Sequence, residues 1–147
     1  MRVPDIFLDT SALFSGIWSA TGGARMLLKL GEAQAVNLCV SSQVLTEIEG
    51  ALRRKSPEQL GVLAFILDRS QIRLRYPAST ERLAQYQAII NYEPDAIVLA
   101  AAWQAEVDYF VTLDRQHFLG NEQLHNDAPF EIGTPGDCLA WYRDRWR

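Results

Sequence analysis

The sequence predicts an α/β fold: a single-domain, Rossmann-like three-layer structure with a parallel sheet of about five strands flanked by helices. Strand-like apolar runs alternate along the chain with longer stretches that have the apolar spacing of helices. Strands that alternate with helices imply a parallel sheet. The 147 residues suffice for one full hydrophobic core and are too few for two comfortable ones. We therefore expect residues 1–147 to form one domain.

Five runs of apolar, aromatic and β-branched residues have the length and composition of strands. In chain order they are Ile6–Leu8, Val36–Val40, Ile72–Tyr76, Tyr109–Leu113 and Phe130–Ile132.

Six stretches have the spacing of helices. In chain order they read GGARMLLKLGEAQ, SSQVLTEIEGALRRK, PEQLGVLAFILDRS, STERLAQYQAII, EPDAIVLAAAWQAE and TPGDCLAWYRDRW. The second has Ser41 or Ser42 available as its N-cap, and its basic end, residues 53–55, suits the C-terminus of a helix dipole. The third opens on Pro57, and Pro94 lies near the start of the fifth, positions that favour proline.

Composition and charge narrow the class of protein. The chain has the makeup of an ordinary globule, with 48% hydrophobic and 22% charged residues. We find neither an apolar N-terminal signal nor an apolar run long enough to span a membrane, which predicts a cytoplasmic protein. The net charge of −4 argues against binding nucleic acid through a large basic surface. Should four carboxylates share one site, however, the rest of the chain would be neutral, and a bound cation would reverse the local sign.

Two aspartates follow strand-like runs far apart in the chain. Asp9 directly follows Ile6-Phe7-Leu8, and Asp114 ends the segment DYFVTLD. In an open parallel sheet, ligands bind beyond the carboxyl ends of the strands, and right-handed crossovers bring these ends to one edge. We therefore expect Asp9 and Asp114 to lie close together.

Further acids lie near the starts of two predicted helices. Glu47 and Glu49 flank the apolar face of the second helix about equally, so periodicity does not decide which one points at the sheet. Asp95 is in the first turn of its helix, where a carboxylate also complements the helix N-terminus. Carboxylates packed together repel one another, and a hard cation with oxygen ligands, Mg²⁺ or Mn²⁺, relieves that repulsion. The sequence has no cysteine–histidine cluster for a softer metal.

Five motifs together resemble the PIN-domain ribonucleases, including the VapC-type toxins of bacterial toxin–antitoxin pairs. They are FLDTSAL, VSSQVLTEIEGAL, EPDAIVLAAA, DYFVTLDRQHF and FEIGTPGDCL. The resemblance implies that Asp9, Glu47, Asp95 and Asp114 are catalytic acids that hold Mg²⁺ or Mn²⁺, and it selects Glu47 over Glu49. It also implies an RNA substrate, a homodimer and, for a toxin, a small antitoxin protein as partner.

Several neighbours of these acids are candidates for supporting roles. Thr10, Ser11 and Thr112 have hydroxyls that could orient the carboxylates, although each also suits an ordinary turn or strand. Some members of the family carry another acid two residues after the fourth, where this chain has Gln116. His117 follows and is a candidate for contact with substrate phosphate or for a structural role.

Two basic runs, residues 53–55 and the arginines of the C-terminal RDRWR, are candidates for contact with RNA. The alternative from another class is a non-catalytic PIN-like module that binds protein or RNA. A haloacid-dehalogenase-like phosphatase needs a second aspartate where Ser11 stands, and a receiver domain needs a lysine after a late strand that this chain lacks. Together with the acids, the resemblance to PIN-domain ribonucleases therefore implies a divalent-metal-dependent endoribonuclease.

Overall fold

The structure, a computed structural model, describes residues 2–90 and 93–146, without the side chain of residue 93. Its strands are β1 (Asp5–Leu8), β2 (Asn37–Ser41), β3 (Arg73–Arg75), β4 (Tyr109–Val111) and β5 (Glu131–Gly133). Its helices are α1 (Thr10–Trp18), α2 (Gly23–Glu32), α3 (Ser42–Lys55), α4 (Gln59–Arg69), α5 (Thr80–Gln87), α6 (Glu93–Gln104), α7 (Glu122–Asp127) and α8 (Pro135–Arg145). One π-helical turn, Arg115–Leu119, lies between β4 and α7.

The five strands form one sheet in the order β3-β2-β1-β4-β5, and all four neighbouring pairs are parallel. The chain builds outward from β1 to β3 and then returns to the other side of β1 with β4. This reversal makes the gap beyond β1 and β4 the switch point at which such sheets bind ligands. The predicted α/β fold with a parallel sheet flanked by helices is confirmed.

All five strand predictions and all six helix predictions match an element, with ends that shift by one to a few residues. Ser41 rather than Ser42 caps α3, since its side chain accepts a hydrogen bond from the Val44 amide at 3.1 Å. α4 begins at Gln59, so Pro57 lies in the preceding turn and not in the first turn of the helix.

α1, α7 and the π-helical turn are not among the predicted elements. GGARMLLKLGEAQ is therefore the second helix, because Thr10 and Ser11, whose alternative role was that of ordinary turn residues, open α1. The reason is Asp9, which has extended backbone angles and accepts a hydrogen bond from the Thr10 amide as the N-cap of α1. No glycine or proline separates β1 from α1, so no turn-forming residue in the sequence marks the point where the strand ends and the helix begins.

Aromatic packing fixes the central strands beneath the switch point. Phe7 of β1 and Phe110 of β4 are paired in register and their rings stack at 5.4 Å. Both side chains are fully buried, as is Phe118 of the π-helical turn, which packs edge-on against Phe110. The segments that follow β1 and β4 thus start from rigid, apolar supports.

Within the described ranges, no helix has the length and apolar character needed to cross a membrane.

Candidate metal centre

Asp9 is held in one position by its neighbours. Its Oδ1 accepts a hydrogen bond from the Thr10 amide at 2.8 Å. Its Oδ2 accepts from Thr112 Oγ1 at 2.8 Å and from Ser11 Oγ at 3.3 Å. The side chain is 8% exposed, so these donors replace water almost completely. Asp9 is a pre-oriented carboxylate at the carboxyl end of β1.

Thr112 connects the two strand-end acids. Its buried hydroxyl donates to Asp9 and accepts a hydrogen bond from the Asp114 amide at 3.0 Å. Asp114 lies three residues beyond Val111, the last residue of β4, so it is not at the strand end itself as the sequence suggested. Thr112 closes that gap and ties the loop that carries Asp114 to Asp9.

Glu47 reaches the same region from α3. Its Oε2 accepts a hydrogen bond from Thr10 Oγ1 at 2.8 Å, and its Oε1 accepts from Gln43 Nε2 at 2.9 Å. Glu49 instead pairs with Arg53 one turn along the same helix, at 3.4 Å. The structure therefore places Glu47 towards β1 and Glu49 away from it.

Asp95, Asp114 and His117 form a compact group. His117 Nδ1 lies 3.0 Å from Asp114 Oδ2 and 3.4 Å from Asp95 Oδ2. One ligand atom from each of the three residues lies within 4.8 Å of the other two. Asp114 also caps the π-helical turn by accepting a hydrogen bond from the His117 amide at 3.0 Å, which fixes the histidine beside it.

An open cleft of about 580 Å³ unites the four predicted acids. Asp9, Glu47, Asp95 and Asp114 all line it, together with the predicted neighbours Thr10 and Ser11. Phe14 of α1 and Lys55 at the end of α3 add an aromatic and a cationic group to the walls. Sequence reasoning treated Lys55 mainly as a helix-end charge, and Phe14 went unnoticed because the helix that carries it was missed.

The electrostatics of the cleft follow from burial and crowding. Loss of solvent raises the pKa of Asp9 to about 6, although the hydrogen bonds from Thr112, Thr10 and Ser11 oppose the rise. Loss of solvent also raises the pKa of Asp95 to about 6. The charge of Glu47 contributes to both increases, and that of Asp114 contributes at Asp95. The hydrogen bond from its ring to Asp114 raises the pKa of His117.

The model for the PIN domain matches residues 5–116. The chain belongs to the PIN-domain family. No curated protein matches the sequence.

Solved structures share the PIN fold at low sequence identity. A chain of the DNA-bound VapBC from Salmonella typhimurium is 20% identical, with a TM-score of 0.66 over 90% of this chain and 99% of that one. A chain of the promoter-bound VapBC2 from Rickettsia felis is 16% identical, with a TM-score of 0.62 over 88% of this chain and 96% of that one. The sarcin–ricin loop-cleaving toxin VapC20 from Mycobacterium tuberculosis is 17% identical, with a TM-score of 0.54 over 76% and 91%.

A divalent cation suits this PIN-domain cleft. Oδ2 of Asp95 is buried and accepts no hydrogen bond from the described residues, although His117 Nδ1 lies 3.4 Å away. A buried carboxylate oxygen without a donor is costly unless a positive ligand reaches it. The other acids that line the cleft offer carboxylate oxygens as metal ligands, and Mg²⁺ and Mn²⁺ bind such oxygens.

Proposed function

We propose that this PIN-domain protein is a divalent-metal-dependent endoribonuclease that hydrolyses phosphodiester bonds of RNA. The observation that supports it most is the gathering of Asp9, Glu47, Asp95 and Asp114 in one open cleft at the switch point of the sheet. Asp95 Oδ2, which is buried and accepts no hydrogen bond from the described part of the chain, also favours a cation at this point.

In this proposal the four acids hold Mg²⁺ or Mn²⁺. The bound cation would neutralise charge on the phosphate and make water a better nucleophile. The protein supplies the orientation, because Thr112 and Thr10 fix Asp9 and Glu47 through short hydrogen bonds. The Ser11 hydroxyl donates a hydrogen bond to Asp9 and accepts one from the Leu113 amide.

The walls of the cleft suit a nucleic-acid strand. Lys55 provides a positive charge for a phosphate beside the scissile one, and Phe14 provides an aromatic surface for a base. Hydrolysis then adds the elements of water across one P–O bond. An open cleft rather than an enclosed cavity allows cleavage within a chain and not only at its ends.

We further propose that the protein is the cytoplasmic toxin of a toxin–antitoxin pair, acts as a homodimer and is neutralised by a small antitoxin protein. Support comes from the fold shared with the Salmonella and Rickettsia VapBC complexes and with the toxin VapC20. A short reading frame for a DNA-binding protein directly upstream of the gene would add support. Expression of the protein alone should arrest bacterial growth, and co-expression of that neighbour should restore it.

The decisive test is cleavage of a mixed single-stranded RNA by rigorously purified protein. We expect cleavage with millimolar Mg²⁺ or Mn²⁺, none with chelator, and none for Asp114→Asn, which keeps the shape and the cap of the π-helical turn while it deletes a charge. Its circular dichroism spectrum should match the wild type. Should the wild type bind RNA without metal-dependent cleavage, the protein is a non-catalytic binding module.

A further inference from the structure

His117 differs from the four acids because it brings a nitrogen to the same point. Its Nδ1 faces Asp114 Oδ2 at 3.0 Å and Asp95 Oδ2 at 3.4 Å. One ligand atom from each of Asp95, Asp114 and His117 lies within 4.8 Å of the other two, close enough together for one small cation to be bound by all three residues. The side chain is about one-third exposed and borders the cleft wall formed by Asp95 and Asp114.

The backbone holds His117 at this point. Asp114 Oδ1 accepts a hydrogen bond from the His117 amide as the N-cap of the π-helical turn, and this bond holds the backbone of His117 close to Asp114. The other histidine of the chain, His125 on α7, lies elsewhere: its Nε2 is 3.1 Å from the carbonyl oxygens of Phe118 and Leu119. His125 is therefore a matched control for His117, because it is the same residue type and lies at backbone carbonyls rather than at the acids.

We propose that Nδ1 of His117 is a direct ligand of the divalent cation, together with Asp95 and Asp114, and that the site consequently prefers Mn²⁺ to Mg²⁺. The inference rests on the proposed metal-dependent function and names the ligand set of that same site. Mg²⁺ takes oxygen donors almost exclusively, whereas first-row transition ions bind imidazole nitrogen well. One nitrogen among carboxylate oxygens thus raises the affinity of the site for Mn²⁺ relative to its affinity for Mg²⁺.

A histidine that only oriented Asp114 would hydrogen-bond to that carboxylate and would never touch the metal. The two roles differ in a spectroscopic property. A nitrogen bound directly to Mn²⁺ produces a strong ¹⁴N coupling in electron spin echo envelope modulation. A nitrogen that is only hydrogen-bonded to a ligating carboxylate does not.

We would load the protein with Mn²⁺ and record this spectrum for the wild type, His117→Asn and His125→Asn. The wild type and His125→Asn should show the coupling of one directly bound nitrogen, which should change to that of ¹⁵N when histidine is isotopically labelled. His117→Asn should lose it. Bound Mn²⁺ without nitrogen coupling, or coupling that survives in His117→Asn and disappears in His125→Asn, would overturn the proposal.

Metal selectivity gives a second readout that does not depend on catalysis. Mn²⁺ binding followed by electron paramagnetic resonance, with Mg²⁺ as competitor, should weaken about tenfold or more in His117→Ala, while Mg²⁺ binding should change less. In His117→Asn an amide oxygen takes a position similar to that of Nδ1, so the preference for Mn²⁺ over Mg²⁺ should narrow. An unchanged preference in both variants would contradict direct ligation.

The outcomes separate the inference from the function on which it rests. Mn²⁺ bound without a nitrogen ligand, in a protein that cleaves RNA, removes His117 from the metal and leaves the nuclease intact. Failure of the wild type to bind Mn²⁺ at all would overturn both. Circular dichroism of each variant verifies that the fold is retained.

Discussion

Two aspartates of the cleft, the buried Asp9 and the partly buried Asp95, are held in opposite ways. Burial raises the pKa of each to about 6. Asp9 accepts hydrogen bonds from the Thr10 amide and from the hydroxyls of Ser11 and Thr112. Asp95 has one buried oxygen, Oδ2, that accepts no hydrogen bond from the described residues and has His117 Nδ1 at 3.4 Å.

The difference divides the site into two halves. The hydrogen-bonded half, Asp9 with Glu47, is oriented by the protein's own donors. The histidine half, Asp95 with Asp114, is completed by His117, and its three side chains are close enough together to hold a cation. Since hydrogen bonds to a carboxylate stabilise its charged form, the first half is preorganised, and the second is the part whose stability should respond most to a cation.

The largest expected effect is on activity, to which both halves should contribute. Glu47→Gln and Asp95→Asn should each lower the rate of RNA cleavage by about 100-fold or more, because loss of a metal ligand should cost at least as much as loss of a ligand's supporting partner. Glu49→Gln is the matched control for Glu47→Gln, since Glu49 pairs with Arg53 at the surface, and it should stay within about twofold of the wild type.

Equal losses for Glu47→Gln and Glu49→Gln would mean that the orientation of α3 does not select between the two glutamates. Full activity of Asp95→Asn would remove the histidine half from the reaction. Initial rates on one RNA, with the same metal concentration, decide both points.

The second effect is a pH dependence of the metal-free protein. A carboxyl whose pKa is about 6 when folded and 3.8 in the reference state binds more protons when folded. Its stabilising contribution is therefore fully present below about pH 4 and is lost as the pH rises through about 6. A shift of about two units corresponds to at most about 3 kcal/mol for each group.

Asp95→Asn isolates one of these contributions. In chelator, the wild type should lose stability relative to Asp95→Asn as the pH rises from 4 to 7, measured by urea unfolding at each pH. A difference that stays constant over this range would show that Asp95 is not buried as a carboxylic acid. Millimolar Mn²⁺ should oppose the loss in the wild type, because the ion binds only the folded state.

The third prediction contrasts the two halves directly. Repulsion between the acids of the cleft, taken alone, suggests that removing the charge of Asp9 or of Asp95 leaves the metal-free protein as stable as the wild type or makes it more stable. The hydrogen bonds change this expectation for Asp9, because in Asp9→Asn an amide group faces the hydroxyl of Thr112, which should cost about 2 kcal/mol. Asp95→Asn should leave the melting temperature in chelator unchanged or raise it, because the loss of solvent that disfavours the Asp95 carboxylate outweighs its attraction to His117, as its raised pKa indicates.

Thermal melts in chelator at neutral pH measure this contrast, with and without Mn²⁺. Addition of the ion should raise the melting temperature of the wild type and should do so less in either variant. Strong destabilisation of both variants in chelator, with no metal response of the wild type, would identify the acids as structural hydrogen-bond acceptors and would favour the binding module.

The sequence predicted the sheet and six helices because short strand-like apolar runs alternate with longer stretches of helical spacing, and a parallel sheet follows from that alternation. The same logic brought Asp9 and Asp114 to one cleft. It could not reveal α1 or the π-helical turn, which are short and begin directly after a capping aspartate without a glycine or proline.

The remaining details of the site depend on side-chain orientation, which periodicity does not encode. Glu47 is distinguished from Glu49 by Thr10 and Gln43, and Thr10 is 37 positions away in the chain. His117 lies in the π-helical turn, and its Nδ1 is 3.4 Å from Asp95 Oδ2 of α6, 22 positions away in the chain. Such contacts between distant elements are set by tertiary packing.

The smallest expected effect tests the hydroxyls that support the hydrogen-bonded half. Thr112→Val keeps the shape of a fully buried residue while it removes the donor to Asp9 and the acceptor for the Asp114 amide. This should lower the free energy of unfolding by about 1 kcal/mol or slightly more. Thr10→Val, the matched control, removes one donor to Glu47, which keeps Gln43 and is only partly buried, so the cost should be about half as large. Because Thr112 positions Asp9 and the loop of Asp114 together, Thr112→Val should also weaken Mn²⁺ binding more than Thr10→Val does. Urea unfolding and Mn²⁺ titration of both variants measure these differences. A larger loss of unfolding free energy for Thr10→Val than for Thr112→Val would mean that Glu47, rather than Asp9, is the carboxylate that the fold holds most firmly.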